Sequence, residues 1–250
     1  VLLKDSVSRM CSQFSNLEEV RSLEGTEPGY SQLFWQQLKD LGITGMNISE
    51  DYGGLAMDLF DSLIVYEEFG RNLSFSPHFV SCCHGASLIS KLGNSSQKEE
   101  FLPLIASGET ILTVAWLEKD SSFAETAINM SVQDKGGSSF LSGKKHMVPY
   151  ASSANKMLLI CKNSDGNLSA LLMDMNLKGI TIEYQPNHAG ESLFEVDFDG
   201  VKLDKAMFLA EGQDLIEAWD STVNDCLVLL AGQASGGSER SLHLGVEHSK

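Results

Sequence analysis

Few residues in this chain could do chemistry, and their spacing excludes most kinds of site. Cys82, Cys83 and His84 stand in a row. Together they could hold a metal or a reactive thiol, but consecutive positions on a helix point in different directions, so buried packing is the better reading. His243 and the pair Glu247-His248 resemble a zinc-binding helix motif that is one residue too long. GGSSFLSGKK (136–145) resembles a phosphate loop, yet its spacing is wrong and Lys145 stands where Ser or Thr must meet magnesium. Gly232–Gly236 reads GQASG and not the G-x-S-x-G of a nucleophile elbow. No glycine fingerprint for a dinucleotide appears. The generic motifs leave no catalytic site.

The elements that would position a site fall into three zones. From 1 to 110 the apolar residues recur at helical spacing, as at Leu33, Phe34, Leu38 and Leu41, with Gly42 placed to stop that helix. The run 55–69 is apolar on more than one face and predicts a helix buried between others. Ser96 and Glu99 have capping-box spacing, which predicts a helix from Gln97, and Pro103 predicts a bend or an end within it. From 111 to 210 the period changes. ILTVAWL, AINMSVQ, KMLLICK, LSALLMDM, ITIEY and FEVDFDGV alternate with Gly, Asn and Asp turns, which predicts an antiparallel barrel or sandwich. From 211 to 250 a long helix returns. Its small-residue run 231–238 would let another helix approach closely.

Bulk properties narrow the function classes. The 250 residues suffice for more than one domain and a sizeable core, and 42% apolar residues with 12 Phe indicate a folded chain. With 34 acidic against 18 basic residues the net charge is -16, which argues against nucleic acid and anionic membranes as partners. A phosphate site would have to be built locally. No apolar run approaches the roughly 18 residues of a membrane span, and the N-terminus reads as an amphipathic helix without a charged leader. Five Cys, two of them adjacent, suit reduced thiols in a cytoplasmic protein better than a disulfide framework.

Five stretches, in order and at matching intervals, together resemble the acyl-CoA dehydrogenase family. They are LGITGMNISEDYGGLAMD (41–58), YEEFGR (66–71), LGNSSQKEEFLPLIASGE (92–109), SGKKHMVPYASSANKMLLI (142–160) and FEVDFDGVKLDKAMFLAEGQ (194–213). The family versions run like G-x-x-x-x-x-x-P-E-x-Y-G-G, E-E-x-x-R and G-x-x-x-Q-K-x-x-x-L-P-x-x-x-x-G-E. The resemblance implies an α+β chain: an N-terminal helical domain (1–110), a middle antiparallel β-barrel or sandwich (111–210) and the start of a C-terminal helical bundle (211–250). It implies FAD as cofactor and α,β-desaturation of an acyl-CoA thioester, in which a carboxylate takes the α-proton and the β-hydrogen leaves as hydride to the flavin.

Carried over residue by residue, the resemblance assigns cofactor contacts to Val114, Trp116, Leu117, Ser122, Phe123, Met147, Val148 and Pro149. The departures are specific. The family's T-E-P-x-A-G-S-D reads Leu117-Glu118-Lys119-Asp120-Ser121-Ser122-Phe123-Ala124 here, and its W-I-T reads Met147-Val148-Pro149. A ring-bonding hydroxyl, a stacking indole, a second hydroxyl and a backbone N–H are thereby absent. Aligning Arg240 with a family arginine puts Cys226 where the isovaleryl and long-chain branches carry a glutamate base. Asp225 stands about 100° round the helix from it and is expected to face elsewhere. No catalytic base is assigned in these residues. An acyl slot is expected beside 88–92, and the run 231–250 is expected to present an uncovered apolar face, as in part of a longer chain. The resemblance also implies an electron-transfer flavoprotein as redox partner and a homo- or hetero-oligomer. The alternative it leaves is a cofactor-poor, non-redox partner subunit or a CoA-thioester-binding protein.

Overall fold

The computed structural model describes residues 2–119 and 127–250. Helices α1 (Leu2–Phe14), α2 (Leu17–Leu23), α3 (Gln32–Asp40) and α4 (Leu59–Asn72) come first. A π-helical segment, Phe79–Gly85, then runs directly into α5 (Ala86–Leu92), and α6 (Ser95–Ala106) follows. The strands are β1 (Leu112–Ala115), β2 (Val132–Lys135), β3 (Ser138–Pro149), β4 (Lys156–Lys162), β5 (Leu168–Asp174), β6 (Ile180–Tyr184), β7 (Leu193–Leu203) and β8 (Phe208–Glu211). Helix α7 (Gly212–His248) closes the described chain.

Local chemistry sets the boundaries. Helix α3 ends at Asp40, just ahead of Gly42. The capping box lies earlier than Ser96 and Glu99 predict. The Asn94 side chain accepts the Gln97 N–H at 2.9 Å, and the Gln97 side chain accepts the Asn94 N–H at 3.1 Å. Asn is a strong N-cap, so the true start outcompetes the one two residues on. Pro103 is held inside α6, and the helix ends shortly after it at Ala106. Gly136 and Gly137, both at positive φ, make the two-residue turn that joins β2 to β3.

The strands form two four-stranded sheets, in the orders β1-β4-β5-β8 and β2-β3-β7-β6. The pairing is antiparallel except at β1 and β4, which run parallel. A purely antiparallel sheet is therefore not what forms. The chain reaches β4 from β1 only after crossing to the other sheet, and that crossover permits the parallel pair. The two sheets face each other across a core of Met157, Leu159, Leu171, Phe194, Val196 and Phe198. On the opposite face of β4 and β5, Leu158, Ile160, Ala170 and Leu172 belong to the helical core. That double burial explains why KMLLICK and SALLM read as continuous apolar runs while β7 alternates. In β7 the outward Glu195 and Asp197 pair with Lys144 of β3.

Helices α4 and α7 cross at nearly bare backbone. A Cβ on Gly236 would collide with the Glu67 carbonyl oxygen, and one on Gly70 with the Gln233 carbonyl oxygen. The small residues of α7 thus serve close helix approach, as their composition predicts. Around the crossing, the fully buried Glu68 carboxylate receives Arg71 Nε at 3.2 Å and lies 3.7 Å from Lys4. Arg71 also reaches Glu67 and, on α7, Glu239. A buried carboxylate with these partners holds α1, α4 and α7 in one register. Because backbone cannot yield as a side chain does, Gly236→Val should destabilise the protein by about 2–3 kcal/mol or more, read as a lowered urea midpoint at unchanged m-value.

Candidate functional site

A cavity of about 330 Å³ opens between the π-helical segment with α5 on one side and α7 on the other. Its walls differ in character. Ile48, Met57, Leu59, Ala86 and Leu229 make one part apolar, and Ser87, Ser90, Lys91, Thr222 and Asp225 make the other polar. The two helices are tied across it. Ser87 Oγ lies 3.2 Å from Thr222 Oγ1, and Lys91 Nζ donates to Ser221 Oγ and Thr222 Oγ1 at 3.0 Å each. Asp225 lies 3.5 Å from the same ammonium.

Three thiols, Cys82, Cys83 and Cys226, also line the cavity. All five cysteines are free and buried. Burial pushes the Cys226 thiol up to about 12, so it stays protonated and takes no proton at neutral pH. Asp225 was expected to face away, and it does not: Asp225 and Cys226 border the same cavity. The opening is wide enough for neighbours 100° apart on α7 to flank it. Of the expected acyl-slot segment, Ser90 and Lys91 reach the cavity, while Leu88 is fully buried in the helical core.

Beside this cavity, where β1 leaves its sheet, stands an aromatic wall. The Trp116 indole stacks on Trp219 of α7, with centroids 3.9 Å apart and planes at 22°. His84 meets the same Trp219 edge-on at 4.9 Å. Trp116 Nε1 and His84 Nε2 are both buried without a hydrogen-bond partner among the described residues. Two orphaned ring nitrogens at one place are unmet capacity for a polar group. Trp219 carried no motif and His84 was read only as buried packing beside Cys82 and Cys83; the packing of α7 on the π-helical segment brings the two together.

The other predicted cofactor residues are spread over several surroundings. Val114 is buried in the helical core, as part of the same cluster that Trp116 packs against. Val148 points into the core between the sheets. Met147 is exposed, at positive φ, and its N–H is donated to Gln185 Oε1 at 2.7 Å. Pro149 faces a separate cavity of about 280 Å³ beside Phe79 and Tyr150, and its carbonyl accepts the Thr113 hydroxyl. The Leu117 carbonyl accepts the His146 N–H at 2.8 Å. Ser122 and Phe123 lie outside the described residues.

Lys145, dismissed above as part of a phosphate loop, is a clamp. Its side chain is fully buried, and Nζ donates to the Trp116 carbonyl at 3.0 Å and to Glu118 Oε1 at 2.8 Å. Glu118 in turn accepts the N–H groups of Asn129 and Met130. Partial burial pushes Glu118 up, but the bonds from Lys145 and those N–H groups more than offset it and hold the carboxyl below its ordinary range. The pair anchors the chain just after β1 to β3 through the Trp116 backbone. Glu118→Gln leaves a buried ammonium without its counter-charge, which should cost about 3–5 kcal/mol; denaturant unfolding with a loss under about 1 kcal/mol would show the pair to be dispensable.

Two histidines make the fold sensitive to acid. His78 Nε2 lies 3.0 Å from the Ile43 carbonyl and Nδ1 lies 2.9 Å from the Tyr66 hydroxyl, so the neutral ring donates to the carbonyl and accepts from the phenol. Burial lowers the pKa of His78, and likewise that of His84, from the ordinary 6.5 to about 4. Unfolded, each titrates near its ordinary value. Their stabilisation is complete above about pH 6.5 and is lost as pH falls toward 4, because there the unfolded chain binds more protons. Stability should drop by roughly 3 kcal/mol between pH 7 and pH 5, above the range where the paired carboxylates titrate. His84→Gln should remove about half of that slope in a pH series of urea melts.

Comparisons with known proteins show what this chain is similar to. Residues 2–109 match the model for the acyl-CoA dehydrogenase N-terminal domain. A probable acyl-CoA dehydrogenase of Bacillus subtilis is 27% identical over 240 residues, covering 93% of this chain and 40% of that protein. The mitochondrial isovaleryl-CoA dehydrogenase of Pongo abelii is 24% identical over 190 residues, 70% of this chain and 44% of that protein. Among solved structures, an acyl-CoA dehydrogenase of Bacillus anthracis in complex with FAD superposes with a TM-score of 0.88 at 20% identity, covering 98% of this chain and 43% of the other. The chain therefore spans under half the length of these relatives. The N-terminal helices thus match an acyl-CoA dehydrogenase domain by sequence, and both sheets and α7 match an acyl-CoA dehydrogenase by fold.

Proposed function

We propose that this chain is part of the catalytic framework of an FAD-dependent acyl-CoA dehydrogenase, an oxidoreductase that desaturates an acyl-CoA thioester between its α and β carbons. Its parts are a helical unit (1–110), a β unit (111–210) and the start of a helical bundle (211–250). The observation that carries the reading is the juxtaposition of the α5–α7 cavity, which holds a carboxylate, with the aromatic wall at the end of β1. The acyl-CoA dehydrogenases it resembles supply the reaction class and an electron-transfer flavoprotein as the expected acceptor.

The residues present fit the flavin ring in a reduced way. The stacked Trp116 offers a flat apolar surface, and its orphaned N–H suits one of the ring's acceptor atoms. The carbonyls of Trp116 and Leu117 and the N–H of Met147 are already bonded within the protein, and Leu117 and Pro149 bring no hydroxyl. Trp116 and Leu117 would hold the ring chiefly by apolar contact, with Met147 and Pro149 at its margins; Val114 and Val148 lie in separate cores and would support it only from behind. Two missing hydrogen bonds weaken such a site by about 1–3 kcal/mol. Bound there, FAD supplies the hydride acceptor.

The protein's own work is to bind, exclude water and move a proton. The apolar walls of the cavity desolvate the acyl group. Asp225 is the carboxylate in its lining, and its Oδ atoms are the place for the α-proton. Lys91 and Thr222 hold the surrounding helices in register. The alternative, a cofactor-poor partner subunit, rests on the same missing hydroxyls. Purification of the full-length protein separates the two: the first reading expects a yellow protein with a releasable flavin. A colourless protein that takes up no flavin from excess FAD would sink it. In the yellow protein, Asp225→Asn should slow flavin reduction by acyl-CoA about 100-fold or more while leaving binding intact.

A further inference from the structure

We infer that Gln185 is a positioning residue for the flavin site: with His146 and Glu195 it holds the backbone of Met147, and a proton gained by His146 releases it; this rests on the flavin reading above, which puts Met147 at the margin of the ring. Here β3 and β7 pair Lys145 with Val196 and Val148 with Phe194, so His146 and Met147 together oppose Glu195 alone. Two residues against one make a β-bulge, which re-aims side chains next to functional sites. Met147 takes a φ of 51° in it, a left-handed conformation that strains a residue with a Cβ, and its side chain stands half exposed.

A directed chain of hydrogen bonds holds that strain. The Met147 N–H is donated to Gln185 Oε1 at 2.7 Å. The other end of the amide, Nε2, faces His146 Nδ1 at 3.1 Å and can only donate to it. Nδ1 is therefore the bare nitrogen, and the ring proton sits on Nε2, 3.2 Å from Glu195 Oε2. Gln185 is fixed in turn by its own N–H, donated to the Leu193 carbonyl at 2.8 Å. The His146 N–H goes to the Leu117 carbonyl, so the bulge also ties β3 to the segment that carries Trp116. These bonds allow one protonation state of the ring. A second proton, on Nδ1, sets N–H against N–H. Turning the Gln185 amide over only moves the conflict to Met147, whose N–H then loses its acceptor. That N–H lies in an exposed contact, so water can take it and the strained backbone relaxes while the sheet stays paired. The charged groups around the ring are Glu195 and Asp197 of β7, Lys144 of β3, which pairs with both, Glu183 of β6, opposite Glu195, and Lys119.

The test uses the full-length protein at pH 8 and pH 6, the range in which histidine is the side chain that changes charge. His78 and His84, whose pKa values burial lowers to about 4, stay neutral there in the folded chain. Hydrogen exchange at the Met147 N–H, corrected for the intrinsic pH dependence of exchange, reads the hold directly and needs no flavin. The dissociation constant of FAD, from the quenching of its fluorescence, reads the consequence. At pH 8, Gln185→Leu should lose about fivefold in protection and bind FAD about fivefold more weakly. The unsubstituted protein should show both losses on passing to pH 6. His146→Asn, whose Oδ1 replaces the Nδ1 acceptor and gains no proton, should abolish that pH dependence. Gln185→Glu should reverse its sign, because a carboxylate accepts from Met147 and from a protonated ring but is repelled by a bare Nδ1. Unchanged protection in Gln185→Leu would overturn the positioning role, and a pH response that survives in His146→Asn would overturn the release by a proton. Protection lost while FAD affinity holds would confine the chain to structure and likewise overturn the inference. If no FAD is taken up at either pH, the flavin reading fails and takes the inference with it. Should Gln185→Leu not fold, the two pH values in the unsubstituted protein and in His146→Asn decide the matter.

Discussion

Everything in this molecule depends on a sheet that is buried on both faces. The pair β4 and β5 turns Met157, Leu159 and Leu171 toward the second sheet, and Leu158, Ile160 and Leu172 toward the helices. Neither the helical layer nor the outer sheet can shift without exposing one of these rows to water, at about 25 cal/mol for each Å² uncovered. The helices and the strands are thereby one packed body, although their sequences read as separate zones. The end of β1, at the edge of the same sheet, inherits that rigidity and places Trp116 against α7.

Around this frame most buried polar groups sit where a helical or sheet contact needs them, and two of the exceptions fall together at the aromatic wall. Glu68 with Arg71 and Lys4, Glu118 with Lys145, and Tyr66 with His78 join elements distant in sequence through buried polar groups. Trp116 Nε1 and His84 Nε2 are not satisfied among the described residues. They meet where β1, the π-helical segment and α7 converge, next to the cavity that holds Lys91 and Asp225. A π-helical turn widens the backbone ladder and is common at functional places for that reason. Here it turns Cys83 toward the cavity and His84 toward Trp219.

Much of the fold was legible because burial writes its period into the sequence. The doubly covered strands read as continuous apolar runs, β7 as alternation, and the close crossing of α4 and α7 as a cluster of Gly and Ala. Misreadings came where two local signals competed or where geometry depended on a partner. Asn94 and Ser96 both offered a cap, and the stronger capping residue won. β3 was hidden by its own glycine and lysines, because one face of it is wet and Lys145 crosses it as a buried ion. Asp225 looked misplaced on a helical wheel, yet a wheel gives angles and not the width of the groove that α7 borders. Trp219 gave no signal, and His84 only that of a polar neighbour to two thiols, since nothing local distinguishes a core aromatic from the wall of a site.

By itself, the sequence determined the order of helices and strands, the resemblance to acyl-CoA dehydrogenases, and the absence of hydroxyls at Leu117 and Pro149. These are properties of residue type and spacing, which need no partner to be read. Tertiary structure decided what those losses surround: the Trp116–Trp219 stack, the parallel pairing of β1 with β4, the clamp of Lys145 on Glu118, and the shared border of Asp225 and Cys226. Each depends on the distance between segments far apart in the chain. That distance is set by the summed packing of both cores, which no local pattern encodes.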